Sequence, residues 1–404
     1  MQIFGIIRPI LRKCKKKSLD NGGGFRYNKY CMWRKIWGNF YMNKAPKKKG
    51  NKLNLIVCGV AFIVMVVYLL FVDKLENVLN ALRNINPIFL VVCILFMLGY
   101  WLCESATVHV MLKELIPEAK FRHSWLDTII GQYFNCITPF ASGGQPMQAY
   151  YFVQFGVPLG AGLTALLSRF IVYQFVLTAY SAFTLAVGFN RFGGDLSQKG
   201  LMPFVLIGFV INTAVIVFLL SIALWKNGTI KAANGIISLL TKMRIVKNPI
   251  QRRLYFTREV NKFHENFKFL KKNVWLIIKA CFFTFIQLTL YLSISYVLYR
   301  GFGLEGESLL KIISYQAYVL MISSFIPLPG AMGAAELGYS GFFKDMFGAY
   351  TGVSTMLWRI FTFYLPILVG MGFMLTLKNK GIEAPDNVDM DKMGQTIAQN
   401  PDDK

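Results

Sequence analysis

Apolar residues run for membrane-crossing lengths along most of this chain, and polar residues gather between the runs. Mostly apolar stretches of 18 or more residues fall at 53–72, 88–112, 158–188, 202–225, 274–299 and 351–377. A helix rises about 1.5 Å per residue, so each stretch is long enough to cross a hydrocarbon layer of roughly 30 Å. Backbone groups in lipid must find partners within their own segment, which leaves helices as the form for runs this long. Two further apolar segments, 124–156 and 311–346, are broken by glycine and proline. The pattern predicts an all-α polytopic integral membrane protein with about six transmembrane helices plus two re-entrant helical hairpins.

The breaks have matching surroundings. The first reads Thr138-Pro139-Phe140-Ala141-Ser142-Gly143-Gly144-Gln145-Pro146 and is followed by Arg169 inside the next apolar run. The second reads Ile326-Pro327-Leu328-Pro329-Gly330-Ala331-Met332-Gly333-Ala334-Ala335-Glu336 and is followed by Arg359. Pro139 precedes Arg169 by 30 positions and Pro327 precedes Arg359 by 32. Interrupted helices at corresponding places in two halves point to a transporter-type binding site near the bilayer midplane. The alternative is two ordinary hairpins containing the glycine and proline that membrane helices tolerate.

Composition agrees with membrane residence: 55% of the 404 residues are hydrophobic and 16% are charged. The formal net charge of +24 would suit nucleic-acid binding until it is mapped. Residues 1–52 hold 15 Lys/Arg and one acid, and 226–273 hold 12 Lys/Arg and two acids. The intervening segments 73–87, 189–201 and 300–310 are nearly neutral, so alternate loops are basic. By the positive-inside rule the N-terminus, loop 113–123, loop 226–273 and the C-terminal tail are cytoplasmic. Six crossings satisfy this bias only if 124–156 and 311–346 each return to the side they came from, and those sides are opposite. That is the expectation for an inverted repeat. No nucleic-acid motif accompanies the basic segments, so no nucleic-acid partner is expected.

Three domains follow: a basic cytoplasmic tail over 1–52, a transmembrane domain over 53–377 and a disordered polar tail over 378–404. A short basic lead from Met42 suggests translation starting there. In the basic loop, Lys262, Lys268, Lys271 and Lys272 alternate with Phe263, Phe267, Phe269 and Leu270. Such a helix suits a membrane surface rich in anionic phospholipid.

Charges inside membrane spans are costly and need an explanation. Arg169 and Arg359 could reach an interface along their stems. Alternatively, their planar forks suit a phosphate group in a partly dry cavity. Glu336 either offsets the positive end of the helix it opens, pairs with one of the arginines, takes up a proton or meets a cationic head group. Glu104 needs a buried cation or polar partner. Gly143, Gly144, Gly330 and Gly333 allow close backbone approach, and exposed N–H groups at a broken helix favour anions. Asn135, Thr138, Ser142 and Gln145 could line the same pocket. The seven scattered cysteines and the isolated His109, His123 and His264 form no metal-ligand spacing. Neither a nucleophile elbow nor a nucleotide-binding loop is present, so no catalytic residue, cofactor or metal is expected.

Together, Thr138-Pro139, Gly143-Gly144-Gln145-Pro146, Arg169, Pro327-Leu328-Pro329-Gly330, Gly333 and Glu336 resemble the lysylphosphatidylglycerol synthase transmembrane (flippase-domain) family over about 53–377. The resemblance implies a flippase-like fold that moves aminoacylated phosphatidylglycerol between leaflets of the cell membrane. It places Gly143, Gly144, Pro146, Arg169, Pro329, Gly330, Gly333 and Glu336 on the family's motif positions. Gln145 departs from the pattern, which commonly has an acid there. Bifunctional members carry a soluble aminoacyl-transferase domain after the membrane region, whereas this sequence ends 27 residues after Leu377. The expectation is therefore a lipid translocase, with a separate lipid-modifying enzyme as a possible partner. The alternative is a membrane transferase, or subunit of one, with phosphatidylglycerol lysyltransferase-type chemistry.

Overall fold

Asparagine and proline set the start of the first helix that the structure defines. In the computed structural model, residues 83–379 are described except 199, 243–248, 325 and 327. Helix α1 (Pro87–Leu115) opens with Pro87 at N1, and the Asn86 side chain accepts a hydrogen bond from Ile88 N at 3.0 Å. This satisfies one orphan donor and uses the fixed φ of proline where no intrahelical N–H is required. The 53–72 span, the N-terminal tail, Met42 and residues 380–404 of the C-terminal tail lie outside the described residues.

After α1 come α2 (Phe121–Ile137), a 3₁₀ turn at Pro139–Ala141, α3 (Gly144–Gln154) and the long α4 (Leu159–Gln198). Helices α5 (Met202–Leu224), α6 (Lys226–Lys242) and α7 (Pro249–Lys272) follow. The opening order then recurs: α8 (Val274–Gly301), α9 (Leu309–Ser323), a 3₁₀ turn at Pro329–Ala331 and α10 (Ala334–Phe347). The last long helix is assembled from α11 (Thr351–Arg359), a π-helical stretch at Ile360–Tyr364 and α12 (Leu365–Asn379). No strand occurs among the described residues. Five helical stretches there are long and apolar enough to cross a membrane.

Long helix, helix, turn, short helix, long helix: this unit occurs twice, joined by α5 to α7. The first helices of the two units share a cap as well. Asn273 caps α8 by accepting from Leu276 N at 3.1 Å, as Asn86 caps α1. Equivalent helices meet where the units join, since α1 and α8 form the most extensive helix pair. Tyr100 and Tyr291 lie with ring centroids 5.5 Å apart. A Cβ on the neighbouring Gly99 would fall 2.9 Å from Leu290 Cδ1, so glycine permits this approach.

Each unit also lends its last helix to the other. Gly370 of α12 packs on Tyr133 of α2, and Tyr318 of α9 donates to the Thr184 carbonyl of α4 at 2.8 Å. The main buried cluster runs through Cys93, Met97, Trp101, Tyr315, Tyr318, Tyr339, Phe343 and Trp358. Outward-facing Ile88, Leu95, Phe204, Val210, Phe218 and Phe282 are all at least half exposed, as expected where lipid rather than water is the neighbour.

The basic connection is more tightly docked than a helix resting on the membrane. Phe263 and Leu270 of α7 are buried against the protein, and Phe263 packs with Ile171 and Ala223. Phe269 remains exposed among the lysines.

Candidate functional site

The two breaks share one backbone structure over four residues, Thr138–Ala141 and Leu328–Ala331, and diverge at Ser142 and Met332. Thr138 has φ −114°, ψ 145° and Leu328 has φ −118°, ψ 149°. A proline follows each, then Phe140 at φ 54°, ψ 19° and Gly330 at φ 57°, ψ 18°. Ala141 and Ala331 come next, both at φ 52°. Left-handed conformation at non-glycine residues costs about 1–2 kcal/mol each, so its repetition marks a constrained feature. The counterpart of Pro139 is therefore Pro329, and not Pro327 as the sequence spacing suggested. Corrected in this way, both prolines precede their arginines by 30 residues.

The turns touch each other, bringing residues nearly two hundred positions apart to one place. Local contacts shape each turn. Thr138 Oγ1 accepts from Gly143 N at 2.9 Å and donates to the Phe134 carbonyl at 2.6 Å. Ser142 Oγ donates to the Pro139 carbonyl at 2.8 Å. Gly144 sits against the Asn135 amide and Gly330 against the Phe363 ring, and neither place has room for a Cβ. Thus Thr138, Ser142 and Asn135 serve the turn's own geometry in this conformation. Gly143 and Gln145 are partly buried, while Pro139, Phe140, Ala141 and Ser142 are exposed.

Both arginines are buried and paired. Arg169 Nη2 lies 2.7 Å from Glu104 Oε1, with Arg169 8% exposed and Glu104 1%. The other oxygen, Glu104 Oε2, accepts from Gln132 Nε2 at 2.6 Å and Gln287 Nε2 at 3.1 Å. One carboxylate thereby ties α1, α2, α4 and α8 together. Arg359 Nε lies 2.7 Å from Glu336 Oε1, and Glu336 Oε2 accepts from Gly333 N at 2.7 Å. Glu336 thus fills two of its expected roles, capping α10 and compensating an arginine. Gly333 has φ +82°, a conformation open to glycine.

The pairs are equivalent in a further respect. An aromatic ring stands four residues after each arginine: Tyr173 lies 5.8 Å from Arg169 Cζ, and Phe363 lies 5.7 Å from Arg359 Cζ. Trp358 adds a ring 4.7 Å from Arg359 Cζ. Arg169 Nε and Arg359 Nη2 are buried without hydrogen-bond partners among the described residues. A guanidinium stacked on aromatics with an unused donor suits an incoming phosphate or carboxylate oxygen.

Gln132 and Gln287 complete the Glu104 site and were left out by the motifs, as was a separate polar pair, Asp127 of α2 and Gln148 of α3. Asp127 is fully buried, and its Oδ2 accepts from Gln148 Nε2 at 3.0 Å. Their signal was present as polar side chains inside apolar segments. Two surface clefts lie away from the turns. One of about 280 Å³ lies between Lys113, Glu114, Asn273 and Lys279, and one of about 360 Å³ is an apolar groove between α4 and α8.

Comparison with known proteins finds similarity over most of the chain. Residues 56–370 match the family described as the lysylphosphatidylglycerol synthase TM region. A UPF0104 membrane protein of Archaeoglobus fulgidus is 24% identical over 300 residues, which cover 72% of this chain and 87% of that protein. A second UPF0104 membrane protein, from Methanocaldococcus jannaschii, is 23% identical over 341 residues, covering 81% and 95% respectively. With nearly the whole described membrane region matched, the chain belongs to the lysylphosphatidylglycerol synthase transmembrane-region family.

Proposed function

We propose that this protein is a lipid translocase that passes a phospholipid or lipid-linked head group between leaflets. The supporting observation is the meeting of two equivalent broken-helix turns, each backed by a buried arginine–carboxylate pair. Two copies of one unit, inserted from opposite faces, can exchange which side of the central turns is open. The charge distribution favours the opposite insertion, with N- and C-termini in the cytoplasm of a cell-membrane protein.

In the closed arrangement Glu104 and Glu336 neutralise Arg169 and Arg359. A lipid phosphate entering between the turns would compete for these guanidinium groups while its acyl chains stay in the bilayer. Gly333, with open space at its Cβ position, lets the backbone come close to the head group, while Gly143, Gly144 and Gly330 let Thr138, Asn135 and Phe363 pack against the turns. The step is movement without covalent chemistry. Aminoacylated phosphatidylglycerol is the leading substrate, followed by other anionic phospholipids, glycolipids and polyprenyl-phosphate sugars.

The test is reconstitution into liposomes with labelled lipids and a leaflet-asymmetry assay. Movement of one lipid class that falls at least tenfold in Arg169→Ala and Arg359→Ala supports the reading. No movement of any lipid, or movement unchanged in both variants, overturns it.

A further inference from the structure

Among the described residues, four charged side chains are buried: Glu104, Asp127, Arg169 and Arg359. Arg359 is matched by Glu336, which is 14% exposed, and Arg169 is matched by Glu104. Asp127 is left over. It breaks the likeness between the units, because α9, the counterpart of α2, contains no acidic residue.

The surroundings of Asp127 are polar but incomplete. Oδ2 is held by Gln148, whereas Oδ1 is buried with no partner. Ser124 Oγ and Thr128 Oγ1, at positions i−3 and i+1 on the same helix, are also buried and without partners. Gly131, one turn onward, leaves room for the Gln148 side chain, since a Cβ there would meet Gln148 Cδ at 2.5 Å. From the other packed helices the groups acting on Asp127 are Glu104 of α1 and Arg169 of α4. His123 precedes it by one turn on α2 and stacks on Phe155. Helix α12, packed along α2, contains no acid or histidine, and its one cation is Lys378 near the end. An ionised, fully buried carboxylate with one oxygen unpartnered is costly in such a place, whereas a neutral carboxyl is less so.

We propose that Asp127 is the proton carrier that couples lipid movement to a transmembrane pH difference, an inference resting on the translocase reading. Protonation forms an O–H bond at Oδ1 and removes one negative charge from the neighbourhood of Arg169. The guanidinium then holds an anionic head group more strongly. By linkage, a bound phosphate strengthens proton binding at Asp127 to the same degree. For an anionic phospholipid carrying one negative charge, proton and lipid cross together as a neutral pair, and loss of the proton on the far side releases the lipid. Asp127 lies ten residues before the end of α2, about 15 Å along the helix from the central turn. It is fully buried in this conformation, so exchange with water requires the hairpin to move.

Proteoliposomes containing a labelled anionic phospholipid and an imposed pH difference provide the test. With one proton per lipid, the wild-type leaflet ratio should shift toward about tenfold per pH unit and collapse with a protonophore. Asp127→Asn keeps the shape and the Gln148 contact; it should still equilibrate lipid between leaflets but no longer respond to the gradient. A pH-sensitive dye trapped in wild-type vesicles gives a readout independent of any variant, and lipid movement should carry protons inward. Wild-type lipid movement that ignores the pH difference, or follows a sodium difference instead, overturns the coupling while leaving translocation intact. An Asp127→Asn protein that follows the pH difference as wild type does also overturns it. If wild type moves no lipid, both readings fall.

Discussion

Arg359 Nε and Glu336 Oε1 are 2.7 Å apart, and the same glutamate holds the N–H of Gly333 through its second oxygen. One carboxylate therefore joins the start of α10 to the point where the final helix changes from α to π winding. π-Helical stretches are uncommon and concentrate at functional sites.

Removing one partner of a buried ion pair leaves an uncompensated charge, which costs about 3–5 kcal/mol. Glu336→Ala should lower thermal stability in detergent accordingly. Glu336→Gln should lose less, because glutamine still caps from N3. The double variant Glu336→Ala/Arg359→Met should be more stable than Glu336→Ala alone. Unfolding curves of the three purified proteins check the order.

Gly330→Ala places a methyl group against Phe363 at a φ of +57°. Overpacking and backbone strain together predict a loss of about 2–4 kcal/mol. Phe363→Ala relieves the collision but not the strain, so the double variant should show a coupling of at least ~0.5 kcal/mol. A coupling near zero would mean that the ring does not face this glycine.

Contact between the turns predicts that cysteines can bridge them. In a background lacking the native cysteines, at least one pair drawn from residues 139–141 and 329–331 should crosslink under mild oxidation. Lipid movement should stop when the bridge forms and resume after reduction. A bridge that leaves movement at full rate would place the moving element elsewhere.

The basic α6–α7 connection should be on the cytoplasmic side. A single cysteine at position 228 should react with an impermeant maleimide only after the membrane is opened. A cysteine at 305, between α8 and α9, should react in intact cells. The reverse pattern would invert the topology drawn from the loop charges.

Long apolar runs made the helices legible, because a segment that crosses lipid must satisfy its own backbone whatever packs beside it. The breaks were legible for a related reason: Pro139, Pro329 and the glycines act on their own backbone. Position 327 misled because two prolines stand two residues apart, and only the dihedral angles reveal which one aligns with Pro139. The arginines stood out as charges in apolar runs, as Glu104 did.

What paired with what was a matter for the tertiary structure. Sequence spacing left Glu336 free to cap its helix or to meet either arginine, and packing joined it to Arg359 while Arg169 went to Glu104. Gln132 and Gln287 became partners of Glu104 only when α1, α2 and α8 converged. Contact between the two turns likewise depends on how the units pack. The chain alone determined a helical membrane protein with two matching interruptions, since hydropathy and proline act locally. The fold decided that the interruptions share one place and that Asp127, among the described residues, is buried without a direct ion pair, since those facts depend on residues far apart in the chain.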